Sequence, residues 1–171
     1  MTSLVQQLIN IDHVIRAIEA CPPEMINLNT FAYDRTTGGH ARPEDVQARK
    51  PGVCFCIGGL VASDPFFAAQ GVQCAEGCVP YMKGPDGQAW CGQAGALLFG
   101  DSAMFCSSGY GFGEGVHKEQ ALKRLHNRRT QVLAAINEQH LAASDEVVKS
   151  TSEQPTKTNI VRRAGRYVMS F

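Results

Sequence analysis

The chain has 171 residues and no formal net charge, with 44% hydrophobic and 19% charged residues. That is enough for one globular domain with an appendage, and it gives no whole-molecule field toward nucleic acid or a membrane surface. No stretch approaches the roughly twenty apolar residues of a bilayer-spanning helix, so no membrane partner is expected.

Met1-Thr2-Ser3-Leu4 lacks the basic start and apolar run of a signal peptide. With seven cysteines and no export signal, reduced thiols in a cytoplasm are expected. Leu4, Leu8, Ile11, Ile15 and Ile18 then recur at spacings of four, three, four and three, one apolar stripe on a helix. Ser3 with Gln6 predicts a capping box at its start, and Pro22-Pro23 ends it. Residues 27–50 read as a short extended segment and a long loop, broken at Gly38-Gly39 and Arg42-Pro43.

Residues 51–115 hold six of the seven cysteines and fourteen of the seventeen glycines, but only six charged residues. Cys56 to Ala62 fits a buried helix or a strand, which periodicity does not separate. Asp64-Pro65 opens a turn or helix that buries Phe66 and Phe67. Gly84-Pro85-Asp86-Gly87 is a turn, since proline presets one dihedral and glycine supplies a positive one. Ala94 to Phe99 reads as a short helix ended by Gly100. A second strong helix runs from about Val116 to Leu141, with Leu122, Leu125, Val132, Leu133 and Ile136 on one side. Arg129 projects onto that same side, which calls for snorkelling or a carboxylate partner. The expected fold is mainly α with minor β. It is a single compact domain whose N- and C-terminal amphipathic helices pack around an irregular Gly/Cys-rich block. Residues 1–142 form the domain, 143–158 a polar linker and 159–171 a basic-aromatic segment.

Cys74-x3-Cys78 followed by Cys91 is the candidate zinc set, lacking a fourth ligand; the competing reading is buried packing sulfur. Cys54 and Cys56 read first as core sulfur beside glycine; the competing reading is a helix-start thiol with a lowered pKa that acts as a nucleophile. His40 or His117 would serve as base and Asn29 or Asp34 as orienter. Gly109-Tyr110-Gly111-Phe112-Gly113-Glu114-Gly115 leads into the second helix, a loop whose amides, with Lys118, suit a phosphate. It matches neither the dinucleotide fingerprint nor the Walker loop. Lys123, Arg124, Arg128 and Asn127 occupy the helix face away from the apolar stripe. They are candidates for nucleic-acid phosphates or for ordinary solvated charge.

Four segments in order carry a resemblance: Ile26-Asn27-Leu28-Asn29-Thr30-Phe31, Cys56-Ile57-Gly58-Gly59, Ser63-Asp64-Pro65-Phe66-Phe67 and Tyr110-Gly111-Phe112-Gly113. Together they resemble an uncharacterised group of small bacteriophage and prophage proteins over about residues 10–135. That group carries an Asn-Met/Leu-x-Thr-Phe/Trp segment, a Cys-Ile-Ala-Gly segment, a short helix and a closing amphipathic helix. Two departures stand out. The group's glycine-threonine approach to the cysteine is Gly52-Val53-Cys54-Phe55 here, and the stretch from Cys74 to Cys91 has no counterpart. The resemblance implies the cytoplasm of a phage-infected bacterium and no established reaction.

The leading expectation is a non-enzymatic phage accessory protein that binds a host or phage macromolecule, a protein above all. Its contact candidates are Tyr110, Phe112, Arg124, Arg128, Arg162, Arg163, Arg166 and Tyr167. The alternatives are a nucleotide or small-molecule binder, such as a defence-signal sponge, using the glycine loop and Lys118, and a zinc- or cysteine-dependent enzyme.

Overall fold

The structure, a computed structural model, describes residues 2–84, 87–105 and 116–152. The chain divides into two units, residues 1–137 and 138–171. Of the second unit, residues 138–152 are described and helical. Among the described residues the fold is mostly α with minor β, as expected: six α-helices and two three-stranded sheets.

The first helix, α1, spans Leu4–Glu19 and buries Ile11, Val14, Ile15 and Ile18. Ser3 Oγ accepts from the Gln6 amide at 3.2 Å, so the cap forms. The reciprocal half of the capping box does not, because the Gln6 side chain donates instead to Asn10 Oδ1. Strands β1 (Ala32–Asp34), β2 (Gly39–His40) and β3 (Val53–Phe55) form one sheet in the order β2-β1-β3, with the short helix α2 (Pro43–Gln47) between β2 and β3 in the chain.

The ambiguous segment after Cys56 is a helix, α3 (Ile57–Ser63), with every residue buried. A helix covered on all sides carries no amphipathic period, which is why its sequence pattern was mute. It continues into α4 (Pro65–Ala68), capped by Asp64 Oδ1 on the Phe66 amide at 2.8 Å. Next come β4 (Val72–Ala75), β5 (Val79–Gly84) and β6 (Gly87–Trp90), an antiparallel sheet in chain order. The expected irregular block is therefore substantially ordered. Pro80 lies in the middle strand, one residue past the last β5–β6 pair, Tyr81↔Trp90. There β5 has a strand neighbour on one side only, a position that tolerates a missing N–H. The hairpin closes at Gly84↔Gly87, where the sequence places its turn.

Helix α5 (Cys91–Phe99) follows and stops at Gly100, φ +67°. Helix α6 spans Val116–Ser152. It runs through residues 143–152, expected to begin a linker, because the segment contains no glycine or proline to end it. Residues 153–158 and the basic-aromatic segment 159–171, including Arg162, Arg163, Arg166 and Tyr167, lie outside the described residues. So does the glycine loop with Gly109, Tyr110, Gly111, Phe112 and Gly113. No helix among the described residues is long and apolar enough to cross a membrane.

Candidate functional site

Three of the four segments singled out in the sequence lie among the described residues and help to hold the core. The Cys56 amide donates to Phe31 O at 3.1 Å and the Asn27 amide to Phe55 O at 2.9 Å. A Cβ on Gly59 would run into Phe31 O, and one on Gly58 would meet the Phe31 ring at 2.8 Å. Asn27 Oδ1 accepts from the Asn29 amide at 3.0 Å, and the Leu28 amide donates to His117 Nδ1 at 2.9 Å. In the third segment Asp64 Oδ2 meets His13 Nε2 at 2.7 Å, and the His13 ring stacks on Phe66. Three of the four segments thus hold α1, β3, α3 and α4 together. Glycine is required at position 59 because backbone meets backbone there.

Cys21, Cys54, Cys56 and Cys78 are placed as core sulfur. Cys56 does stand at the N-cap of α3, with Sγ accepting from the Gly59 amide at 3.5 Å. Its pKa is nonetheless raised to about 11, because burial outweighs the amides of Gly59 and Gly58. The core-sulfur reading fits, and the alternative of a lowered pKa does not, since a 5% exposed thiol has little water to solvate its anion. Cys54 is buried, with Asn27 Nδ2 at 3.9 Å. The proposed triad partners sit elsewhere. His117 faces the Leu28 amide, His40 lies over Gly77, and Asp34 accepts from the Thr36 amide and hydroxyl.

Cys74 Sγ donates to Ala75 O at 3.3 Å and Cys78 Sγ to Ala41 O at 3.5 Å, and burial raises both thiols, Cys78 to about 12. Cys91 begins α5 and lies close enough to Cys56 to oppose its ionisation. Among the described residues no three His, Cys, Asp or Glu side chains are grouped to hold a metal ion. The expected set of Cys74, Cys78 and Cys91 is therefore not assembled as a metal site among the described residues.

The cations of α6 serve internal carbonyls. Lys118 Nζ donates to Glu19 O at 2.9 Å and Cys21 O at 2.6 Å, closing the C-terminal end of α1. Arg128 Nε donates to Phe99 O at 2.7 Å at the end of α5, and Arg124 to Ala103 O at 2.7 Å. Positive side chains at helix C-termini satisfy orphan carbonyls and complement the dipole. Lys118, expected to assist a phosphate at the glycine loop, is engaged on α1 instead. Arg129 meets Asp12 Oδ1 at 2.7 Å, the carboxylate its position called for.

What stands outward is aromatic. Gln73, Tyr81 and Trp90 form a cross-strand row on β4, β5 and β6. The alternate residues Val72, Cys74, Pro80 and Met82 turn to the core side. Trp90 is the chain's one tryptophan and is 47% exposed, its ring 5.1 Å from that of Tyr81 and tilted by 37°. The sequence reading passed over both residues, although its own turn at 84–87 implies their pairing. A two-residue hairpin loop sets the register so that 81 faces 90.

No protein family matches this chain, and comparison with curated proteins and with solved structures returns no match.

Proposed function

We propose that this protein is a non-catalytic binding protein that engages a protein partner through the outer face of the β4–β5–β6 sheet. Trp90 and Tyr81 form its anchor. The observation that carries this reading is the half-exposed, ring-paired tryptophan, in a molecule where burial raises the Cys56 and Cys78 thiols to about 11 and about 12. Tryptophan and tyrosine are enriched at interface hot spots because they bring large contact area at little conformational cost. The face also lacks a run of cations: Lys83 is the one basic residue on β4, β5 and β6. That composition favours a protein over a nucleic-acid backbone. The resemblance to phage proteins supports the cytoplasm of an infected bacterium as the setting.

A photo-crosslinking residue tests this reading. Placed at position 90 during growth in the native host, it is expected to give a discrete adduct that Tyr81→Ala abolishes. The same residue at Val5, exposed on α1, is expected to give none. Equal adduct patterns at both positions, or no adduct at position 90, would remove the sheet face as the binding surface.

A further inference from the structure

The outer side of α6 forms an open groove of about 380 Å³ that Asp101 also lines. Gln120, Lys123, Arg124, Asn127 and Gln131 line it together with Arg128, at the three- and four-residue spacings of one helix face. Three cations face one carboxylate. The volume lies near the lower end of the ~300–1,000 Å³ usual for small-molecule pockets, which suits a single small molecule better than a polymer.

The groups differ in how far they are committed. Arg128 spends three donors on Phe99 O, Gln131 Oε1 and Gln7 Oε1, leaving two of a guanidinium's five and a rigidly placed charge. Lys123 is exposed and makes no ion pair or hydrogen bond among the described residues. Asp101 Oδ1 accepts from the Ala103 amide at 2.8 Å, and its other oxygen carries no such bond among the described residues. Gln120 supplies the second, independent observation. Its side-chain oxygen is buried without any hydrogen-bond partner, alone among the described residues. Leaving such an atom unpaired carries the cost of its lost hydration. Turning the amide into the groove to meet a donor therefore breaks no existing bond to that oxygen and relieves that cost.

We propose that this groove binds a mononucleotide. Lys123 and the fixed guanidinium charges take the phosphate, a charge-assisted contact. Asp101 accepts from the ribose hydroxyls, a role that acidic side chains fill in nucleotide sites. Gln120 and Asn127 meet the base edge, whose paired donor and acceptor match a carboxamide. An inorganic anion would use the cations and leave the carboxylate and amides idle. The mononucleotide uses all three chemistries. This site is separate from the aromatic face proposed above for a protein partner, and neither proposal needs the other.

Calorimetric titration of the purified full chain tests it, with AMP, GMP, CMP and UMP as probes beside inorganic phosphate and a ten-nucleotide single strand. Saturable binding of at least one mononucleotide, tighter than phosphate, is expected. Lys123→Glu, which removes no structural bond, is expected to weaken it about tenfold with an unchanged melting temperature. Gln120→Leu is expected to weaken the nucleotide severalfold while leaving phosphate unaffected. It is also expected to raise the melting temperature, because the unpaired oxygen is gone. Absence of saturable binding to all four mononucleotides overturns the proposal. So does binding that Lys123→Glu leaves within twofold, and so does binding of the single strand alone, which would make this an open strand surface.

Discussion

Two regions of this molecule are opposites. Where Phe31 meets the start of α3, backbone lies on backbone and no atom can be added at Gly59. On the outer face of the β4–β5–β6 sheet, the largest side chain of the chain stands half in water. The first region carries recognisable sequence segments and has a packing explanation. The second carries no motif and is where contact with another molecule is available. A short segment fixed by packing therefore reports what the fold needs, which differs from what the surface does.

This contrast can be broken at its strongest point. Gly59→Ala is expected to destabilise the native state by more than about 3 kcal/mol, because the new methyl group collides with Phe31 O and neither backbone can withdraw cheaply. Urea unfolding measures it; a loss near that of an ordinary helix substitution would show that the two backbones have room to part. The next effect comes from Cys56. Unfolded, a cysteine releases its proton near pH 9.0, whereas buried Cys56 holds it to about 11. Between those values the native state binds more protons than the unfolded chain, so stability falls as pH rises, and below pH 9 the contribution is fully present. A loss on the order of 2 kcal/mol across that window is expected, with a shallower slope in Cys56→Ala. Parallel slopes in the two proteins would place the buried proton elsewhere. The smallest effect belongs to the other region: Trp90→Ala is expected to cost about 1 kcal/mol or less, the scale of one exposed aromatic pair. A larger loss in the same urea experiment would make Trp90 part of the core and not an anchor.

The two long helices were legible because each has one wet side. The stripe from Leu4 to Ile18 and the one through Leu125 and Val132 write their period into the sequence, and Pro22 and Gly100 mark two helix ends. The middle was less legible for separate physical reasons. Helix α3 is buried all round, so its residues show no alternation. Strands β4 to β6 are short, and Pro80 in the central one speaks against a strand until its local one-sided pairing is seen. The alternative thiol reading, a nucleophile at a helix start, fails on solvation at Cys56. A helix start lowers a cysteine pKa only where its anion is hydrated, and sequence does not report depth. The basic face of α6 was visible as a face, and its residues do line one groove. Invisible was that Lys118, Arg124 and Arg128 meet carbonyls tens of residues away.

Those three attachments make α6 a splint. Glu19 O and Cys21 O at the end of the first helix, and Phe99 O at the end of the fifth, are all gripped by one rod. Val132 further along it is buried. The shortest stretch able to fold unaided must therefore extend past that valine. Cutting at Phe105 would unravel two distant termini at once instead of trimming a tail.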